Sequence, residues 1–158
     1  MTVGFGFGGT EPAEFERNKI IYKSLGPAEG ISDNPNVTLN GSRILISVAA
    51  KIFTPLQLPQ DAEIISCVCY GVVTLGRKFD LRRYGIAAGG NSTVGDKVIL
   101  STPFNSVGLS TREANLKVID NTQFKYWIQT DEMAVNEEYY GAVVTYTVPI
   151  DFKTSRLR

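Results

Sequence analysis

The sequence predicts an all-β protein, an antiparallel β-sandwich with a jelly-roll-like arrangement of strands, preceded by an extended N-terminal arm. From Val37 onward, runs rich in β-branched and aromatic residues recur between turn signals, and this spacing indicates about eight short strands. The sequence shows no internal repeat and no heptad pattern, which argues against a solenoid and a coiled coil. A chain of 158 residues, 43% of them hydrophobic, can bury one core without metal or disulfide staples.

The arm is assigned to residues 1–33 and the sandwich domain to residues 34–158. The arm contains the glycine-rich GFGFGG, the charged TEPAEFERNK, the short apolar IIYKSL and the turn-rich GPAEGISDNPN. Such a segment packs little core of its own. The part from Thr10 to Lys23 fits one or two helical turns, but Ile20, Ile21 and Tyr22 also fit a strand, so we expect at most one short helix.

The glycine-rich start of the arm carries two large apolar side chains, Phe5 and Phe7. Either it stays free in solution or it becomes ordered against a neighbouring subunit, and exposed phenylalanines would limit solubility in the first case. Gly4, Gly6 and Gly9 match the dinucleotide-binding pattern G-x-G-x-x-G. That pattern is meaningful only between a buried strand and a helix, and only three residues precede it here, so the match is accidental.

The strand candidates of the sandwich domain are separated by proline-rich or polar breaks. In order they are VTLNGSRILISVAAKIF, DAEIISCVCYGVVTL, KFDLRRYGI, KVILSTPF, ANLKVID, TQFKYWIQ and YYGAVVTYTVPIDF. In the loop LPQDA, Pro59 stops one strand and Asp61 can bond nearby backbone. The triplet IDN predicts an Asx turn at Asp120, and Gly141 predicts a bulge or a close approach of two backbones.

In two of the strand candidates the side chains alternate between the two faces of the strand, but the faces do not separate into one apolar and one polar face. In FKYWIQ, Tyr126 and Ile128 lie on one face and Trp127 on the other, so Trp127 is either a core residue of a second layer or an anchor at a subunit contact. In KFDLRRYG, Arg82 and Arg83 fall on opposite faces, either as a solvated face with an ion pair or as an interface. We expect both faces to be covered, one by the second sheet and one by a partner.

The sequence offers no catalytic, cofactor-binding or metal-binding motif, and we expect a protein that is not an enzyme and needs no cofactor. It has no histidine, and its two cysteines, Cys67 and Cys69, share one strand face, which favours reduced core thiols over a disulfide or a metal site. Its carboxylate pairs lie in or beside predicted turns, where solvated acids are normal. These pairs are Asp61 with Glu63, Asp131 with Glu132, and Glu137 with Glu138.

The charge balance and the N-terminal sequence argue against two classes of partner, nucleic acids and membranes. Sixteen basic and sixteen acidic residues leave no basic surplus, which argues against nucleic acid as a direct partner. The first residues, MTVGFGFGGTEPAEF, resemble no secretion signal, and no stretch has the length of a membrane span. We therefore expect a protein that does not enter the classical secretory route and has no membrane partner.

Three segments, LQLPQDAEIISCVCYG, VIDNTQFKYWI and YYGAVVTYTV, resemble in their order a β-sandwich module of tailed-bacteriophage structural proteins. That group includes head-fibre-like and capsid decoration proteins, and some bacterial surface proteins share the module. The resemblance covers roughly residues 40–149 and carries over no catalytic residue. Such modules often continue into long fibres, whereas ten residues follow Val148 here, so we expect a compact decorating protein.

The resemblance implies a capsid decoration or cement protein that is made in the host cytoplasm and lies on the capsid surface of the virion. Its partners would be the major capsid protein and further copies of itself, as a trimer or a dimer. The candidate interface residues are Phe5, Phe7, Phe15, Arg82, Arg83 and Trp127. The alternative is a tail-fibre or baseplate module that binds a receptor or glycan on the host surface, for which we expect an exposed aromatic platform in the loops.

Overall fold

Two antiparallel β-sheets packed face to face form the protein, as the sequence predicts. The computed structural model describes residues 18–35, 37–86 and 96–149. In chain order the strands are β1 (Asn18–Leu25), β2 (Ile31–Ser32), β3 (Thr38–Asn40), β4 (Arg43–Leu45), β5 (Ile52–Leu56), β6 (Glu63–Val72), β7 (Lys78–Gly85), β8 (Lys97–Pro103), β9 (Gly108–Leu109), β10 (Phe124–Thr130) and β11 (Glu138–Pro149). A 3₁₀ turn at Pro27–Glu29 and a one-turn helix, α1 (Ala114–Lys117), complete the described elements.

The strand order is that of a jelly roll. Sheet A runs β9-β6-β11-β4-β3, with β1 alongside the second half of β11, and sheet B runs β2-β5-β10-β7-β8. The chain changes sheet at each step from β4 to β7, makes the β7–β8 hairpin within sheet B, and again changes sheet at each step to β11. These eight strands, four in each sheet, form the double-sheet jelly-roll arrangement that the sequence predicts.

The core lies between the sheets and is filled by alternate side chains of each strand. The ring of Phe104 packs edge-on against both Phe79 and Tyr139, with centroids 5.9 and 6.3 Å apart. Tyr139 is fully buried, and its hydroxyl is satisfied by the hydroxyl of Thr54 at 3.0 Å. The sandwich therefore has one continuous apolar interior, in which the hydroxyls of Thr54 and Tyr139 bond to each other.

Two predicted backbone features are confirmed. Gly141 has φ 123°, lies at a register shift between β11 and β6, and brings its backbone so close to Leu25 that a Cβ would collide with the Leu25 carbonyl oxygen. Asp120 forms the predicted Asx turn, since its carboxylate accepts a hydrogen bond from the backbone N–H of Thr122 at 3.0 Å. Glycine and aspartate are thus required here by local backbone geometry.

Residues 18–32, which the sequence predicts to be part of the arm, are built into the sandwich. Strand β1 pairs with β11 over eight residues, from Leu25 opposite Ala142 to Asn18 opposite Pro149, and Leu25 is only 3% exposed. Strand β2 pairs with β5. The open choice between helix and strand at residues 20–22 is therefore settled as strand, and the sandwich begins no later than Asn18. Residues 1–17 lie outside the described part of the chain.

The strand predicted at ANLKVID is wrong. Ala114–Lys117 form one helical turn, in which the N–H of Val118 bonds to the carbonyl of Ala114 at 3.1 Å, and Val118 then makes a single bridge to Glu63. The turn leads into Ile119, which is fully buried. A few apolar side chains at alternate positions fit a helical turn as well as a strand, and here the chain must cross from sheet A to sheet B.

The two cysteines are free and buried, as expected. Cys67 and Cys69 are 1% and 0% exposed on the inner face of β6. Burial raises the pKa of the Cys69 thiol well above its ordinary value, and its contact with Cys67 raises it further. Both side chains therefore act as small apolar core residues.

Candidate functional site

The predicted interface residues that the structure describes are divided between the surface and the interior. Phe5, Phe7 and Phe15 lie outside the described residues, whereas Arg82 and Trp127 lie on the outer face of sheet B. Arg83 points between the sheets. Two of the three described residues, Arg82 and Trp127, therefore share one surface, and Arg83 lies apart from it.

Arg83 is an interior residue. It is 9% exposed, donates from Nη1 to the carbonyl of Asn115 at 2.7 Å, and places its guanidinium 3.8 Å from the centre of the Phe124 ring. These contacts tie the end of the sandwich to helix α1. Arg83 therefore lies mostly between the sheets, and little of its side chain is at the surface.

Arg82 lies on the surface within a small ion-pair network. Its Nη2 is 2.9 Å from Asp80 and its Nη1 is 3.1 Å from Asp96, and the three side chains are about one-fifth to one-quarter exposed. One cation between two carboxylates leaves no free positive charge here. Arg82 is thus a paired cation on the outer face of sheet B, in a network with a net charge of −1.

Trp127 is a surface residue of sheet B and does not belong to the core. It faces outward between Pro55 of β5 and Arg82 of β7, its neighbours across the sheet. Its ring packs edge-on against Tyr84 with centroids 5.3 Å apart, and its indole N–H donates to the side-chain oxygen of Gln129 at 3.1 Å. Two neighbours thus fix the orientation of the indole.

The outer face of sheet B contains a concave site with a volume of about 400 Å³, which we name the aromatic groove. Outward side chains of three adjacent strands form it, because β5, β10 and β7 place them on the same face in register. Its surface is mostly apolar, with polar groups at one end. The residues that line it include Phe53, Pro55, Gln57, Tyr84, Lys125 and Trp127.

A more polar cleft of about 250 Å³ continues the groove beyond Gln57 and Lys125. Asn121 lines this cleft and is held in place by its amide N–H₂, which donates to the carbonyl of Leu58 at 2.9 Å. Lys23 approaches from β1, where its ammonium donates to the carbonyl of Gln57 at 3.1 Å. The aromatic groove therefore opens at one end into a site with both hydrogen-bond donors and acceptors.

The outer face of sheet A is a second candidate surface, and its centre carries no charged side chain among the described residues. We call it the neutral face. Exposed apolar side chains stand on it, with Tyr22 70% and Leu109 75% exposed. Ion pairs lie at its two ends, Lys117 with Glu63 at 3.3 Å and Arg43 with Glu138 at 3.0 Å. The neutral face is formed by Ile20, Tyr22, Ser66, Tyr70, Leu109, Val143 and Thr145.

Glu137 is buried, contrary to the expectation that its carboxylate pair is solvated. It is 6% exposed and accepts hydrogen bonds from Arg77 at 2.9 and 3.0 Å, from the backbone and hydroxyl of Thr74 at 2.9 and 2.6 Å, and from the N–H of Ala134 at 3.0 Å. Burial alone would raise the pKa of Glu137, but the Arg77 and Thr74 bonds outweigh it and lower the pKa to about 2. Glu137 joins the loop before β11 to the β6–β7 turn.

Among the residues that the structure describes, the remaining acidic side chains do not converge in a cleft. Glu63 and Glu138 are paired with basic side chains at opposite ends of sheet A, and Asp131 accepts the backbone N–H of Lys78 at 3.0 Å. The described residues include no group of three or more potential metal ligands. Within the same ranges, no helix is both long enough and apolar enough to cross a membrane.

Comparison of the chain with protein-family models, with curated proteins and with solved structures found no match.

The groove residues Phe53, Pro55 and Tyr84 were not singled out by the sequence analysis. Their signal was present, because Phe53 and Pro55 alternate with the buried Ile52 and Thr54. Which outward residues become neighbours depends on strand order and register, and local alternation does not specify either.

Proposed function

We propose that this chain is a non-enzymatic structural protein of a bacteriophage virion, a capsid decoration or cement protein that bridges subunits of the major capsid protein. The neutral face of sheet A is the observation that carries the proposal. The order of the three segments, which resembles phage decoration modules, gives the class of partner. The jelly-roll topology agrees with this class, since capsid and lectin domains both use it.

The neutral face has the composition of a contact surface. Solvent-facing sides of antiparallel sheets normally carry charged and polar residues, whereas Tyr22, Tyr70 and Leu109 are exposed here around Val143 and Thr145. Protein interfaces have a centre depleted in charge and enriched in tyrosine, surrounded by a polar rim. The ion pairs at the two ends of the neutral face fit such a rim.

Contacts between copies of this chain would use the free edge of β1. Within the described residues, β1 pairs only with β11, so its second edge is available for a strand of a neighbouring subunit. A dimer or trimer formed in this way would present several neutral faces together. Many copies with modest interfaces then stiffen a shell through their combined attachment.

The copy number in purified particles of the source phage tests the assignment. Quantitative mass spectrometry should give a ratio to the major capsid protein near one or a simple fraction of it. A handful of copies per particle would instead favour the tail-fibre or baseplate alternative. Complete absence from the particles would refute a virion protein of any kind.

Single substitutions test whether the neutral face is the contact. Thr145→Arg places a charge at the centre of this face and should abolish binding to capsids that lack the protein. Ser101→Arg, an exposed position on the outer face of sheet B, is the matched control and should bind normally. Equal melting temperatures would show that both variants fold, and normal binding by Thr145→Arg would refute the assignment of the neutral face.

A test of the arm's contribution to attachment needs a deletion that ends before the predicted arm boundary at residue 33. Removing residues 1–33 would also remove β1 and the buried Leu25, and the loss of a strand of sheet A would confuse folding with attachment. Removal of residues 2–17 leaves every described strand in place. We expect this variant to fold and to attach weakly, because it lacks Phe5, Phe7 and Phe15; full attachment would exclude a role for the arm.

A further inference from the structure

We propose that the aromatic groove binds a glycan, with the C–H face of a pyranose ring stacked on Trp127 and the hydroxyls of neighbouring sugars bonded to Gln57, Lys125 and Asn121. This inference goes beyond the capsid role and does not depend on it. The groove lies on sheet B and the neutral face on sheet A, on opposite sides of the sandwich. One subunit could therefore hold a shell and a glycan at the same time.

The aromatic rings form a diagonal line across three strands. Phe53 lies opposite Gln129 in the pairing of β5 with β10, Trp127 is two residues away on β10, and Tyr84 of β7 lies opposite Lys125, two residues further. With strands about 4.8 Å apart and about 3.4 Å per residue, the backbone positions along this line span roughly 16 Å. A row of aromatic side chains across three strands suits a linear chain of several sugar rings rather than a single compact ligand.

The groove combines apolar and polar surface in the way that a sugar requires. A pyranose has C–H groups on its faces and hydroxyl groups around its edge, so it binds where an aromatic surface adjoins hydrogen-bonding groups. The side chains of Gln57 and Lys125 are exposed and make no hydrogen bond among the described residues. The amide of Asn121 uses its N–H₂ on Leu58, which leaves its carbonyl oxygen as an acceptor.

The mixture of donors and acceptors in the groove favours a glycan over a proline-rich peptide. Aromatic grooves also bind polyproline II segments, and the backbone of such a segment offers carbonyl acceptors and few donors. In this groove the N–H of Trp127 already donates to Gln129, so the donors that remain are the side chains of Gln57 and Lys125 at one end. The acceptor oxygens of Gln57 and Asn121 lie at the same end, and sugar hydroxyls, which both donate and accept, can use both kinds of group.

The charges around the groove define the two glycan classes to be compared. Lys125 lines the groove and Lys23 borders it next to Gln57, whereas Arg82 offsets only one of the two negative charges of the nearby Asp80 and Asp96. Neutral and acidic sugars share the stacking interaction. An acidic sugar would gain further attraction from the free ammonium of Lys125.

Tryptophan fluorescence tests the proposal directly, because Trp127 is the sole tryptophan of the chain. The full-length protein is titrated with cellohexaose and chitohexaose as neutral probes and with hexagalacturonic acid as the acidic probe. At least one class should change the emission of Trp127 in a saturable manner. If none does so up to millimolar concentration, or if a proline-rich peptide does so and no glycan does, the proposal is refuted.

Variants of the groove provide the matched comparison. Tyr84→Ala should weaken binding of the active glycan roughly tenfold, and Trp127→Phe should retain much of the affinity when retention on immobilised glycan is measured. Tyr70→Ala, an exposed tyrosine of the neutral face, should bind like the unmodified protein. Lys125→Gln should weaken an acidic glycan more than a neutral one. Unchanged binding by a folded Tyr84→Ala protein would place the glycan outside the groove and refute the proposal.

Discussion

Replacing Glu137 by glutamine should destabilise the protein strongly at neutral pH and much less in acid. The carboxylate accepts five hydrogen bonds, two of them from Arg77, and glutamine would turn one acceptor oxygen into an N–H₂ group that faces donors. The difference between the ordinary pKa of 4.5 and the pKa of about 2 corresponds to about 3 kcal/mol of folding free energy at pH 7. Loss of that amount lowers the melting temperature by about 6 to 12 °C in a domain of this size.

The pH dependence has a definite sign. The pKa of Glu137 is lower in the folded protein than in the unfolded chain, so the carboxylate stabilises the fold above the ordinary value of 4.5 and loses that effect as the pH falls towards 2. At pH 3 the contribution should be about 1.4 kcal/mol, and at pH 2 about 0.4 kcal/mol. The difference in stability between the Glu137→Gln variant and the unmodified protein should therefore decrease between pH 5 and pH 2.

Urea denaturation, followed by circular dichroism at pH 7, 4 and 3, measures these differences. Glu132→Gln is the matched control, because Glu132 is an exposed acid of the same loop, and its free energy of unfolding should change by less than about 0.5 kcal/mol. A Glu137→Gln variant as stable as the control at pH 7 would refute the reasoning. So would a destabilisation that stays constant from pH 7 to pH 3.

Two further predictions concern the backbone and the thiols. Gly141→Ala should lower the free energy of unfolding by about 3 kcal/mol or more, because Gly141 has φ 123° and the new Cβ would meet the Leu25 carbonyl oxygen. Gly41 has φ 56° and open space around it, so Gly41→Ala should lower the free energy of unfolding by only about 1 kcal/mol in the same urea assay. Cys67 and Cys69 should resist Ellman's reagent in the folded protein and react fully in urea, since both are buried. Rapid labelling without urea, or equal losses in the two glycine variants, would contradict these predictions.

The fold was largely predictable because the alternation of side chains and the turn residues are local signals. The alternation around Tyr126 and Trp127 gave the two faces of β10, and Asp120 and Gly141 marked their turn and bulge correctly. The sequence leaves open whether residues 20–22 form a helix or a strand, because the partner of β1, β11, lies more than a hundred residues away along the chain. The sequence of β1 has no clear core face, so it does not indicate that pairing.

The candidate sites were much less predictable, for reasons of geometry. Trp127 was recognised as ambiguous, but its neighbours Phe53 and Tyr84 come from strands on either side of β10, and their proximity follows only from the strand order of sheet B. The sequence predicts a solvated Glu137, because turns usually expose acidic residues. Its burial depends on Arg77, sixty residues earlier in the sequence, which reaches it only after β6 and β11 have paired.

The pairing of β1 with β11 also determines how the protein would respond to mechanical load. Asn18 and Pro149 are direct partners, so the described part of the chain begins and ends at the same corner of the sandwich. A force that separates these two points would peel β1 from β11 and break their hydrogen bonds one pair at a time. A load applied at these two points is therefore carried by only a few hydrogen bonds at a time.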